Sequence, residues 1–104
     1  MPAIIGHHFV SSDLYLKEFT LGDNESVTQH RHPIDHVTIL TEGCVVLEKD
    51  GVRTVHWSPA FIMVERNIPH AFTAVNGAAK GYCTHITRCR DMDIIDQVLT
   101  LEDA

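Results

Sequence analysis

The sequence predicts an all-β fold, either a sandwich or a barrel, and three observations carry that prediction. Short runs of β-branched, aromatic and other apolar residues recur at spacings of about 8–12 residues. Turn-forming pairs such as Asp50-Gly51 and Asn76-Gly77 separate these runs. The chain has 104 residues, of which 44% are apolar, and this favours one domain over residues 1–104 with a single modest core.

Nine runs along the chain are predicted to be strands. The Asp50-Gly51 pair indicates a hairpin, because both central residues of a type I′ turn need positive φ. Turns are also expected at Gly22-Asp23-Asn24, at Thr41-Glu42-Gly43 and at Ser58-Pro59. In order, the predicted strands are Ile4–Val10, Leu14–Leu21, Ser26–His32, His36–Leu40, Cys44–Lys49, Val52–Trp57, Ala60–Val64, Ala71–Val75 and Tyr82–Arg88.

The C-terminal segment has a different pattern. Asp91 is suited to cap a helix, and such a helix would place Met92, Ile95, Val98 and Leu99 on one face. An edge strand over Val98–Leu101 fits the same residues, and we favour the helix.

Charge and cysteine content exclude several classes of function. There are 8 Lys and Arg residues against 14 Asp and Glu, a formal charge of −6, so binding to nucleic acid is not expected. The chain has no basic run for anionic lipid and no apolar run near the roughly 18 residues of a membrane helix. Three cysteines and no secretory signal favour a reducing, cytoplasmic location.

Histidine is strongly enriched, with eight residues in the chain. On a strand, His30 and His32 would project from the same face about 7 Å apart, so that both imidazoles can reach one ion. Pro33 ends regular pairing, and a bend there would bring His36 to the same point. His70, after Pro69, is a fourth candidate.

Imidazole ligands suit Zn, Cu, Fe and Ni. Four neutral imidazoles leave the positive charge of a bound ion uncompensated. The site is therefore expected to favour a small organic substrate with an anionic or enolisable oxygen.

These histidine motifs resemble those of the cupin superfamily. The first cupin motif is G-x5-H-x-H-x(3,4)-E-x6-G, and His30-x-His32-x3-His36-x6-Gly43 matches it from the first His onward, with His36 at the Glu position. The second motif is G-x5-P-x-G-x2-H-x3-N, of which only His70 is kept literally, while Asn67 stands at the second Gly. The similar region runs from Ser26 to about Val75, about half the chain.

The resemblance implies a double-stranded β-helix, or jelly roll, around one divalent transition metal ion, which could be Fe, Cu, Ni or Zn. Cupins commonly bind this ion with three His and one Glu. By position, the metal ligands here would be His30, His32, His36 and His70. Asp35 competes with His36 for the fourth position, and we favour His36 because it keeps the motif spacing. His in place of Glu removes a carboxylate that could serve as a ligand or a base.

Three functions are compatible with this site. The first is a metal-dependent oxygenase, similar to a dioxygenase, that acts on a small organic substrate. The second is a non-enzymatic module that binds a small molecule or a metal, and the third is a redox-neutral, metal-dependent isomerase or lyase. The resemblance also implies a homodimer paired through edge strands, with the C-terminal segment as a candidate contact.

Several other side chains have two interpretations each. Trp57, Phe61, Phe72 and Tyr82 could line a substrate pocket, and we expect such aromatic residues to fill the core. Cys83, His85, Thr87 and Cys89 share one strand face, which points either towards the metal or outwards. Taken singly, His7, His8, His56 and His85 are expected to be ordinary surface or core residues.

Overall fold

The described residues form nine β-strands and no helix. The structure is a computed structural model, and it describes residues 3–29, 35–66, 68–87, 89, 91 and 93. The strands are β1 Ile4–Phe9, β2 Leu14–Leu21, β3 Ser26–Gln29, β4 His36–Glu42, β5 Cys44–Lys49, β6 Val52–Trp57, β7 Ala60–Val64, β8 His70–Ala74 and β9 Ala79–Ile86. The predicted all-β class is therefore confirmed.

These strands form two antiparallel sheets that enclose one apolar core. The five-stranded sheet has the order β1-β2-β9-β4-β7, and the four-stranded sheet has the order β3-β8-β5-β6. Neighbours in a sheet are mostly distant in sequence: β9 lies between β2 and β4, and β8 lies between β3 and β5. This order brings strand ends from distant parts of the chain together at one end of the sheets.

Alternation along each strand determines which side chains face the core. In β9 the buried positions are Ala79, Gly81, Cys83 and His85, and in β8 they are His70, Phe72 and Ala74. The rings of Phe19 and Phe72 stack across the core with centroids 5.7 Å apart. Gly81 leaves room for Phe19, whose ring would lie 2.6 Å from an added Cβ.

The predicted turn chemistry is confirmed at both glycine pairs. Asp50 and Gly51 have φ values of 51° and 76°, as a type I′ hairpin between β5 and β6 requires. Asn76 and Gly77 likewise have positive φ, at 60° and 118°, between β8 and β9.

Some predicted strand ends were wrong. The turn expected at Thr41-Glu42-Gly43 reduces to Gly43, because β4 continues through Glu42 with a register shift between Leu40 and Glu42. Strand β9 begins at Ala79 rather than Tyr82, because its first residues pair with β2. Strand β8 lies one residue earlier than predicted, at His70–Ala74 rather than Ala71–Val75. Strand β1 ends at Phe9 and β9 ends at Ile86, each earlier than predicted, whereas the predicted end of β3 at His32 lies outside the described residues.

The C-terminal helix proposed after Asp91 falls on residues 92 and 94–104, outside the described residues. Within the part of the chain that the structure describes, no helix is long and apolar enough to cross a membrane.

Candidate functional site

The buried polar side chains cluster at one end of the two sheets. Among the described residues they are His36, Thr38, His70 and His85, each no more than 5% exposed. His36 begins β4, His70 begins β8, and His85 lies one residue before the end of β9. Because β4 and β9 are antiparallel neighbours, the start of one lies beside the end of the other. Burying polar groups in an apolar core is unfavourable unless they have binding partners. The concentration of buried polar side chains at this end therefore marks a candidate site.

The rings of His36 and His70 are close enough to share one ion. Their centroids are 5.3 Å apart and their planes are tilted by 46°. An imidazole bound at about 2.1 Å has its centroid about 3.2 Å from the ion, so two such rings at tetrahedral angles lie about 5 Å apart. The observed separation fits a pair of ligands, one from each sheet.

Hydrogen bonding determines the tautomer of His70. Its Nδ1 lies 3.0 Å from the carbonyl oxygen of Ile68, which can only accept a hydrogen bond. Nδ1 is therefore the donor, and in the neutral ring the lone pair is on Nε2. Metal-binding histidines commonly make such a bond through their other nitrogen, because it fixes the ring and raises its basicity.

His85 extends the cluster along the five-stranded sheet. Its ring stacks on that of His36, with centroids 5.1 Å apart and planes 29° apart. On its other side it stacks on Tyr15 at 5.9 Å, and these two residues are direct partners between β2 and β9. The side-chain rings of Tyr15, His85 and His36 thus form a row on the inner face of this sheet, which we call the inner ring row.

A second polar pair lies next to the inner ring row. Thr38 and Cys83 are direct partners between β4 and β9, both fully buried, with Oγ1 and Sγ 3.4 Å apart. The face of β9 that carries Cys83 and His85 therefore points inwards, which settles the alternative that the sequence left open.

Charged residues line the rim around the candidate site. The backbone N–H of Arg66 donates to Asp35 Oδ1 at 2.7 Å, and Lys49 donates to Glu65 at 2.9 Å. The Lys49 hydrogen bond is the main reason why the pKa of Glu65 is below its usual value. Asp35 is thus an exposed rim residue, whereas its neighbour His36 faces the interior.

An open cleft of about 380 Å³ lies beside the β5–β6 turn. His70 contributes to its lining, and two carboxylates, those of Glu48 and Asp50, stand in its wall. These carboxylates favour the approach of a cation to this side of the site.

The structure brings together two of the four predicted metal ligands, His36 and His70. The other two, His30 and His32, lie outside the described residues. Among the residues that the structure does describe, no group of three or more His, Cys, Asp or Glu side chains is arranged to hold a metal ion. His36 and His70 therefore offer two donors, and the expected set needs His30 and His32 to complete it.

Sequence reasoning gave no role to Tyr15 and an ordinary one to His7, although Tyr15 belongs to the inner ring row and His7 Nδ1 lies 2.6 Å from its hydroxyl. The alternation of β2 puts Tyr15 on the same strand face as Phe19, and only the pairing with β9 places it beside His85. The expectation that aromatic residues fill the core holds for Phe72. It was wrong for Trp57 and Phe61, which are 63% and 77% exposed.

Comparison with solved structures identifies the fold. A cupin superfamily protein from Desulfitobacterium hafniense DCB-2 matches with a TM-score of 0.71 and 19% identity, over 82% of this chain and 77% of that one. An RmlC-like cupin family protein with a double-stranded β-helix fold, from Methanocaldococcus jannaschii, matches with a TM-score of 0.72 and 11% identity, over 83% and 81%. KdgF from Halomonas sp. matches with a TM-score of 0.71 and 16% identity, over 85% and 81%.

These similarities show that the chain has the cupin double-stranded β-helix fold, as the histidine motifs suggested. Neither the protein-family models nor the curated proteins give a match to this sequence.

Proposed function

We propose that this cupin binds one divalent transition metal ion, Fe, Cu, Ni or Zn, through His30, His32, His36 and His70. The observation that carries the proposal is the concentration of buried imidazoles at one end of an otherwise apolar core. The separation of His36 and His70, and the Nδ1 bond of His70, support it. When bound, the ion supplies Lewis-acid or redox chemistry at its open coordination positions.

We further propose that the protein is an oxygenase acting on a small organic substrate. Neutral imidazole ligands would leave the charge of the ion uncompensated, which favours an anionic or enolisable substrate oxygen. The buried polar residues that the structure describes include no carboxylate. Inside the core, proton transfer would therefore fall to an imidazole or to the substrate itself, while the carboxylates of Asp35 and Glu65 lie at the rim.

Metal analysis with matched histidine variants tests the metal proposal. Protein purified without added metal should contain about one ion per chain. His32→Ala and His70→Ala should lose it while keeping the β-sheet circular dichroism spectrum. His56→Ala is the control, since His56 lies on strand β6 and contacts Thr54. Stoichiometric metal in both His32→Ala and His70→Ala would overturn the proposal.

Metal identity and oxygen consumption separate the alternatives. Iron or copper with oxygen uptake in the presence of an enolisable probe, such as acetylacetone, would support the oxygenase. Zinc or nickel without oxygen uptake would support an isomerase, a lyase or a binding role. Protein without metal would favour a module that binds a small molecule alone.

We also propose a homodimer and a cytoplasmic location. The exposed apolar side chains on the edge strands β6 and β7, including Trp57 and Phe61, support pairing between two copies. A reducing cytoplasm would keep the thiols of Cys44, Cys83 and Cys89 reduced.

A further inference from the structure

The inner ring row places two aromatic side chains behind the proposed ligand His36. His85 stacks on His36 at 5.1 Å, and Tyr15 stacks on His85 at 5.9 Å. His85 and Tyr15 are 2% and 0% exposed. Close packing of buried rings leaves little room for rotation, so the orientation of each ring depends on its neighbour.

Tyr15 is itself held from the side of β1. Its hydroxyl lies 2.6 Å from His7 Nδ1, and the His7 and Tyr15 rings stack with planes 18° apart. Phe9 packs against the same ring, with centroids 5.1 Å apart. Tyr15 is therefore fixed both by a hydrogen bond and by packing on two sides.

The motif spacing assigns the proposed ligand positions to His30, His32, His36 and His70, and His85 lies beside this set on β9. The lone pair of a neutral imidazole nitrogen lies in the plane of the ring, so the direction in which His36 offers a donor depends on the orientation of its ring. The planes of the His36 and His85 rings are 29° apart, and those of the His36 and His70 rings are 46° apart.

We infer that Tyr15 and His85 are positioning residues, which hold the ring of His36 in the orientation needed to bind the metal. This inference rests on the proposed function, because it assumes that His36 is a ligand. The observation that supports the inference is the inner ring row, in which the ring of His85 packs against that of His36 and the ring of Tyr15 packs against that of His85. The ring of each residue, rather than its polar atoms, performs this role.

Histidine NMR of the metal-free protein tests the inference directly. Long-range ¹⁵N–¹H correlations report the tautomer and exchange of each imidazole. Wild type and Tyr15→Phe should give one sharp pattern for His36, because the phenyl ring preserves the stack. Tyr15→Leu and His85→Ala should broaden or shift that pattern. Unchanged His36 signals in both of these variants would overturn the inference.

Metal titration provides the second measurement. Co²⁺ binding should weaken roughly 10- to 100-fold in Tyr15→Leu and His85→Ala, the usual range for losing a residue that supports a ligand. His85→Phe should retain most of the affinity. Equal losses in His85→Phe and His85→Ala would overturn the inference, because they would show that a nitrogen of His85 is what matters.

Two controls separate positioning from other effects. Leu21→Ala removes a fully buried side chain that pairs with Ala79, at the opposite end of β2 from Tyr15. It should lower the melting temperature without altering the His36 pattern, and an equal change in His36 would contradict a specific role for the ring row. If wild type binds no metal but the NMR results are as expected, the proposed function fails while the positioning of His36 stands.

Discussion

The carbonyl oxygen of Ala78 occupies the space where a side chain on Gly43 would lie. A Cβ added to Gly43 would overlap that oxygen and come within 2.9 Å of Ala79 Cα. Gly43 also has a φ of +85°, which L-residues rarely adopt. The close passage of the β8–β9 connection thus explains why glycine occupies the last position of the first histidine motif.

Replacing Gly43 should therefore strongly destabilise the fold. Gly43→Ala combines a strained φ with a backbone collision, and we expect it to lower the free energy of unfolding by about 3 kcal/mol or more. Gly51→Ala is the matched control, since Gly51 has a φ of +76° but nothing within 4 Å of an added Cβ. Gly51→Ala should lower the free energy of unfolding by about 1 kcal/mol. Urea titration measures both, and similar losses would contradict the role assigned to Ala78.

The ion-pair network on the outer face of the five-stranded sheet should make stability depend on pH. Glu18 is 2.7 Å from His8 Nε2 and 3.2 Å from Lys80 Nζ, and these hydrogen bonds, that of His8 first, lower the pKa of Glu18 from 4.5. A carboxyl with a lowered folded-state pKa stabilises the fold above its unfolded-state value. That contribution disappears as the pH falls through the folded-state value.

Glu18→Gln should consequently lower the melting temperature by up to about 5 °C at neutral pH. The difference in melting temperature from wild type should persist down to about pH 4.5 and disappear at lower pH. Melting curves recorded across this range measure the effect. A difference that does not change with pH would show that the amide disturbs packing instead.

The exposed edge of the five-stranded sheet predicts how two copies associate. Phe61 lies on edge strand β7 opposite Ile39, which in turn lies opposite Tyr82, so an apolar row runs inwards from the edge. Phe61→Lys should weaken the proposed homodimer at least about 10-fold in sedimentation measurements. Ile4→Lys, on edge strand β1 and 62% exposed, should leave association unchanged. The reverse result would place the contact at β1.

The three thiols should differ in reactivity. Cys44 and Cys83 are 2% and 0% exposed, whereas Cys89 is partly exposed. A thiol reagent such as Ellman's should therefore modify about one thiol per chain in the folded protein and all three after unfolding. Cys89→Ser should remove the fast reaction. Fast modification of Cys83 would show that the interior opens readily.

Local patterns predicted most strands, and tertiary pairing accounts for the errors. Leu14–Leu21, Cys44–Lys49, Val52–Trp57 and Ala60–Val64 were predicted to the residue, because turn-forming residues flank clear apolar runs. The start of β9 was predicted too late, since Ala79, Lys80 and Gly81 have weak strand propensity. They are extended because they pair with Leu21, Thr20 and Phe19.

The candidate site was only partly accessible from the sequence. Motif spacing selected His36 and His70, which the structure brings together. Alternation placed Cys83 and His85 on one face but could not tell whether that face was inside, because period-2 patterns do not define the direction of the core. The stacking of Tyr15 on His85 needs the β2–β9 register, a contact between residues 70 positions apart in the chain.

His36 and His70 belong to different sheets, since β4 is in the five-stranded sheet and β8 is in the four-stranded one. Their rings can meet only after the sheets have closed on each other, so the binding pair does not exist in a half-assembled barrel. An ion bound by both histidines would cross-link the two sheets, and thermal unfolding would have to release it. Added metal should then raise the melting temperature with increasing concentration, which makes heat resistance a simple screen for the ion that the protein prefers.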